Sequence, residues 1–141
     1  MKIETAAWED HAEISQLAKK SKYTKGFVSG GLRFVDTYYA RNFVLKATHR
    51  GKIVGFVCVY HCSRKKHSSI YYISTDGTLP GTGRALLKAA LKQSPHTTLR
   101  LIVEAENEKA IGFYKHLGFT IESTGANKHG EFLRMMYEGE L

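Results

Sequence analysis

The residues best suited to chemistry in this chain form a glycine turn, Gly81-Thr82-Gly83-Arg84, which runs without a break into Ala85-Leu86-Leu87-Lys88-Ala89-Ala90-Leu91. A β-rich stretch, residues 70–74, sits just upstream. Strand, tight turn and helix in that order aim free backbone N–H groups and the positive end of a helix dipole at one point. Such a point binds phosphate. Glycine turns before helices also serve as plain connectors, so the ligand has to be argued from the rest of the chain.

A second constellation, Cys58, His61, Cys62 and His67, has the residue types of a zinc site. Its spacing argues against one. On a strand, residues 58 and 62 share a face and 61 takes the other, so the three converge only if the strand bends. The C-x₂-C spacing is also missing. Cysteines on a buried strand act as small core residues, and no metal is expected. The densest basic cluster, Arg64-Lys65-Lys66-His67, reads first as a solvated hairpin turn and second as a loop that touches phosphate.

These groups belong to a chain of 141 residues, the size of one domain spanning 1–141 and large enough to bury a core without staples. Hydrophobic residues make up 43% and charged residues 24%, the balance of an ordinary globular protein. No apolar run approaches the roughly 20 residues of a membrane span, and no membrane partner is expected. The start, Met1-Lys2-Ile3-Glu4-Thr5, lacks the apolar stretch of a secretory signal, so a cytoplasmic protein is the expectation. A net charge of +8, from 21 basic against 13 acidic side chains, favours anionic ligands: a phosphorylated cofactor, nucleic acid or an acidic protein surface.

The elements that must position the glycine turn follow from periodicity and breakers. Residues 2–6 read as a short strand. Asp10 with Glu13 three residues on has the form of a capping box, opening a helix through Lys20 with Ile14, Leu17 and Ala18 as its apolar stripe. Residues 27–39 are helix-compatible but interrupted by Gly30-Gly31, giving two short helices with a mobile link. Strands over 42–49 and 52–61 flank Arg50-Gly51, a hairpin signal, and a third covers 68–74. A helix over 81–93, closed by Pro95, leads to a strand over 98–104. A helix over 107–117, stopped by Gly118, leads to strands over 119–123 and 132–137 around a polar loop, residues 125–130. The expected fold is α+β: a mixed sheet, antiparallel in its first half and switching to parallel at the glycine turn. Ligands of such sheets sit at the carboxyl ends of strands where topology changes, and the turn lies there.

Two segments carry a resemblance. Thr78-Leu79-Pro80-Gly81-Thr82-Gly83 resembles the Q/R-x-x-G-x-G/A motif of the GNAT superfamily of N-acetyltransferases. The run from Asn107 through Ala110, Tyr114 and Gly118 to Phe119 is similar to that family's N-x-x-A-x-x-x-Y-x-x-x-G-F signature. Motif order, separation and element order match over essentially the whole chain. Thr78 departs from the pattern, standing where the family has Gln or Arg. The cradle depends on the glycines more than on that side chain, and a Thr78 hydroxyl can reach a phosphate.

The resemblance implies acetyl-coenzyme A as co-substrate, its pyrophosphate on the amides of Leu79, Gly81, Thr82, Gly83 and Arg84. It also implies a backbone N–H near Ile73, beside a strand bulge, that polarises the thioester carbonyl. Asn107 is implied both as a helix N-cap and as a cofactor contact. Tyr114, by spacing alone a core aromatic beside Ala110 and Leu117, becomes the general acid for the departing sulfur. No residue matches a base motif. Glu104, Asp76, His61, His67 and Tyr72 are conceivable, and none is assigned, since proximity to an already neutral amine supplies much of the catalysis.

The implied acceptor is a primary amine, gripped by residues 21–39 and the 125–130 loop. Asp36 is the one acidic residue of 21–39, which turns the expectation from polycationic acceptors toward a protein or nucleic-acid-linked amine. Acetylation of aminoacyl-tRNA by a small basic enzyme and a non-catalytic coenzyme- or nucleic-acid-binding module are the alternatives. Monomer and homodimer both stay open.

Overall fold

The structure, a computed structural model, describes residues 1–29 and 32–141, so the expected link at Gly30-Gly31 lies outside the described residues. The chain runs β1 (Lys2–Thr5), a 3-10 turn (Trp8–Asp10), α1 (His11–Ala18), α2 (Gly26–Ser29), α3 (Leu32–Ala40), β2 (Val44–His49), β3 (Lys52–His61) and β4 (Ser68–Thr75). It continues through α4 (Thr82–Gln93), β5 (Thr98–Glu104), α5 (Glu108–Leu117), β6 (Thr120–Asn127) and β7 (Gly130–Glu138). The strands form a single sheet in the order β1-β2-β3-β4-β5-β7-β6.

Strand β3 shows why the sheet is covered on both sides. From Ile53 to Val59 it is buried throughout, and its side chains alternate between two cores. Val57 and Val59 join Leu86, Leu87, Leu99 and Met135 beneath α4 and α5. Phe56 and Cys58 join Ile14, Leu17, Phe27 and Tyr39 beneath the N-terminal helices. A strand packed on both faces reads as a nearly unbroken apolar run, which 52–61 does.

The expected switch to parallel occurs once. β4 and β5 are the parallel pair, and their register covers only Ser68↔Leu99, Ser69↔Arg100 and Ile70↔Leu101. Beyond Ile70 they are no longer paired. β7 then lies antiparallel to β5 along its full length, with β6 at the edge.

Two local expectations are corrected. Asp10 does not cap α1 through its side chain; its Oδ2 accepts from the Ala7 amide at 2.9 Å and meets Lys46 Nζ at 3.0 Å. Glu13, assigned to the same capping box, instead accepts from the Ile53 amide at 2.6 Å and ties α1 to β3. Residues 125–130 are not a loop. β6 continues to Asn127, and the turn is confined to Lys128 and His129. The cause is cross-strand packing: Gly125 pairs with Phe132, whose ring lies where a Cβ on Gly125 would sit, 2.6 Å from its Cζ. An aromatic folded over a strand glycine restores the contact that the missing side chain gives up.

Candidate active site

Where β4 and β5 part, a cleft of about 1360 Å³ opens between them. Its floor is the pair of diverging strands, with Ile73 on one and Ile102, Val103 and Glu104 on the other. The β3–β4 register slips here: Cys58 pairs with Tyr72 and Val59 with Ile70, leaving Tyr71 as the extra residue of a bulge. The bulge lies two residues upstream of Ile73. From Tyr71 onward the β4 edge facing β5 has no strand partner.

The glycine turn closes one end of the cleft. Asp76 Oδ1 accepts from the Thr78 amide at 2.8 Å, and the Thr82 hydroxyl donates to the Leu79 carbonyl at 2.8 Å, so the turn is held by its own side chains. Gly81 takes φ 81°, a left-handed conformation that favours glycine. α4 begins immediately after it with no side-chain cap and no acidic residue in its first turn. Its first amides are therefore free of the usual partners, and they sit where an anion is stabilised.

Gly83 is required for another reason. A Cβ there would lie 2.9 Å from Phe113 Cζ of α5. The two sequence motifs thus touch, one turn packed on the ring of the other. Gly81 thus meets a backbone requirement and Gly83 a packing one.

Leu79, Gly81, Thr82, Gly83, Ile73, Asn107 and Tyr114 all line the cleft. Arg84 does not; its side chain is exposed, which leaves its amide as the group that faces the turn. Thr78, expected to reach a phosphate, is likewise outside the lining. Asn107 caps α5, its Oδ1 accepting from the Ala110 amide at 3.3 Å. The start of α4 has no side-chain cap, whereas that of α5 has one.

Tyr114 is 6% exposed, packed against Phe113 and Phe119, with one side on the cleft. Burial pushes its phenol well above the usual tyrosine range, and the charge of Glu104 adds to this. The hydroxyl therefore keeps its proton at any physiological pH, the state a proton donor needs.

Of the conceivable bases, Glu104, His67 and Tyr72 line the cleft, whereas His61 and Asp76 do not. His61 Nδ1 bonds Ser68 Oγ at 2.7 Å, and Asp76 serves the turn. Cys58 is buried and faces the N-terminal core, and desolvation pushes its thiol up to about 12.

The lining also holds Tyr71, Arg100, Glu122 and Arg134, which periodicity and motif had not singled out, and Tyr38, from the 21–39 segment expected to grip the acceptor. Lys65 and His67 join them from the basic turn, whose second reading was a loop that touches phosphate. Residues 125–130, expected to grip the acceptor, contribute none of the lining. The loop after α1 does contribute, through Ser21, Tyr23 and Thr24. It is tied to the turn after β5 by Lys22 Nζ, 2.8 Å from Glu106 Oε1, and by the Tyr23 hydroxyl at 3.3 Å from the same oxygen.

With this geometry in place, likeness to known proteins can be weighed. Residues 5–119 match the model of the Acetyltransferase (GNAT) family. The chain is 33% identical over 138 residues to the 5-NmdU N-acetyltransferase of Pseudomonas phage PaMx11, covering 96% of this chain and 97% of that protein. It is 31% identical over 104 residues to the peptidyl-lysine N-acetyltransferase YjaB of Escherichia coli (strain K12), covering 70% of this chain and 67% of that one. Among solved structures, Chaetomium thermophilum Naa20 in complex with a bisubstrate analogue superposes with a TM-score of 0.80 at 20% identity, over 98% of this chain and 86% of that one. The splayed strands, the uncapped glycine turn and the family match together make this chain a member of the GNAT family of N-acetyltransferases.

Proposed function

We propose that this enzyme transfers the acetyl group of acetyl-coenzyme A to a primary amine carried on a nucleobase. The observation that carries the acceptor class is the 33% identity, over nearly the full length of both chains, to a 5-NmdU N-acetyltransferase. The cleft supports it. Four cationic side chains, Lys65, Arg100, Lys109 and Arg134, line it against two carboxylates, Glu104 and Glu122. That field suits a substrate with phosphates and repels a cationic one.

The residues divide the work along the cleft. The amides of Gly81, Thr82, Gly83 and Arg84, with Leu79 beside them, receive the pyrophosphate, which fits an uncapped helix start. The unpaired β4 edge near Ile73 offers an N–H to the thioester carbonyl oxygen, where negative charge develops. The amine nitrogen attacks the carbonyl carbon, the carbon–sulfur bond breaks, the Tyr114 phenol gives its proton to the departing sulfur, and the proton shed by the nitrogen passes to water and in net restores the phenol. Holding amine and thioester together replaces a dedicated base, so the neutral fraction of the amine is the reacting species.

A lysine side chain is the second reading, favoured by the 31% identity to a peptidyl-lysine N-acetyltransferase. Thiol release from acetyl-coenzyme A separates the two, measured with a pyrimidine nucleoside bearing a primary alkylamine and with a lysine peptide. Release with the nucleoside, and its N-acetylation by mass spectrometry, is expected. Turnover of the peptide with none of the nucleoside overturns the nucleobase reading.

A further inference from the structure

Tyr38 and Tyr71 line the cleft together with Lys65 and His67 of the β3–β4 turn, and the transfer step uses none of them. Tyr71 is the bulged residue of β4, and it is 45% exposed although it is a large aromatic. Ser68 and Ile70 turn to the core and Tyr71 to the other face of the strand, at the point where the register slips. Its ring lies 5.7 Å from that of Tyr60 at an interplanar angle of 11°, so the two are stacked. Tyr38 meets Tyr71 edge-on at 6.0 Å, and Phe43 meets Tyr60 edge-on at 5.4 Å. The result is a braced aromatic step, its rings fixed by their neighbours.

Cations line the same cleft. Lys65 and His67 come from the turn, and Arg100 and Arg134 from β5 and β7. They are close enough to act on one another: beyond the effect of burial, Arg100 and Lys65 hold the His67 imidazole below its usual value. Arg100 pairs with Glu122 at 2.9 Å through Nη2, but its Nε is shielded from solvent without a hydrogen-bond partner among the described residues.

Flat exposed rings interleaved with cations are how proteins hold unpaired bases along a strand. The rings take the bases, and the cations take the phosphates. A free nucleoside would use neither the outer ring nor the basic turn. We propose that the acceptor amine is presented on a single-stranded polynucleotide, with a base next to the reacting one stacked on Tyr71 and the backbone held by Lys65, Arg100 and Arg134. This rests on the nucleobase-acceptor reading above and names the form in which that base arrives.

Two measurements test it. In fluorescence anisotropy with a fluorescein-labelled oligo(dT) at 50 mM salt, Tyr71→Ala binds about tenfold more weakly than wild type, the loss of one base stack. Tyr71→Phe, which keeps the ring, binds as wild type does, and Lys65→Gln lowers the slope of log K against log salt by about one. Identical curves for wild type and Tyr71→Ala overturn the proposal, as does tighter binding of duplex than of single strand. In the second measurement, wild type acetylates an alkylamine pyrimidine within an oligonucleotide with at least tenfold higher kcat/KM than the same nucleoside, and Tyr71→Ala narrows that gap. Equal kcat/KM for the two substrates overturns the strand proposal and leaves the nucleobase reading intact. Acetylation of neither, with a lysine peptide turned over, overturns the nucleobase reading itself.

Discussion

At the residue scale the proposed chemistry turns on Tyr114, whose ring packs in the core and borders the cleft. Removing the hydroxyl while keeping the ring separates the proposed proton transfer from the packing. Tyr114→Phe is expected to bind acetyl-coenzyme A with wild-type affinity and to lose about 10²-fold or more in kcat, the scale of one positioned proton donor. Unchanged turnover would sink the acid role. Because burial raises the phenol, the protonated form persists as pH climbs through about 10, where an ordinary tyrosine ionises. The Tyr114-dependent share of the rate should therefore hold across that range. The signature around Tyr114 made it a candidate, but nothing in the sequence singled out Tyr71. Alternation places residue 71 on the face opposite Ile70, and that it lines a cleft follows from how β3, β4 and β5 pair. The basic turn holding Lys65 and His67 read first as solvated and second as touching phosphate, and the adjacency of β4 and β5, far apart in sequence, brings it to the cleft.

At the scale of elements, the two helices at the active site are set by one contact. The ring of Phe113 fills the space above Gly83, so the start of α4 and the body of α5 cannot move independently. Gly83→Ala forces a 2.9 Å approach to Phe113 Cζ. It is expected to cost about 1–3 kcal/mol of stability and to weaken acetyl-coenzyme A binding as the amides tilt. Pairing it with Phe113→Leu makes room for the methyl group and recovers part of both losses; calorimetry of the single and double variants measures the coupling. Independent losses that simply add would show that the ring does not set the turn. Helix and strand order were readable because each stretch has a clear period and a breaker at its end. The failures lie where a side chain's partner is distant. Glu13 looks like a local cap, yet it bonds an amide 40 positions away. Gly125 looks like a loop residue, yet Phe132 completes it as strand.

At the scale of the whole molecule, the sheet is two sub-sheets joined at a short seam. β1 to β4 carry the N-terminal helices, and β5, β7 and β6 carry the face where Ile102 is 61% exposed. The general order of strands could be read from the chain, but the shortness of the parallel seam could not, because splaying leaves no mark on hydrophobic pattern. Among the described residues three pairs form the strand ladder between the halves, and the core beneath α4 and α5 spans the rest of the seam. Acetyl-coenzyme A lying between the arms would act as a splint, bonding to the edges that the strands leave bare. Deuterium uptake tests this: residues 71–75 and 102–104 should exchange more slowly when it is added, while the β2–β3 amides stay unchanged. Uniform slowing across the sheet, or none, would count against it. The parting of β4 from β5 thus leaves two strand edges bare, and in a sheet so built occupancy of the cleft and rigidity of its edges are expected to rise together.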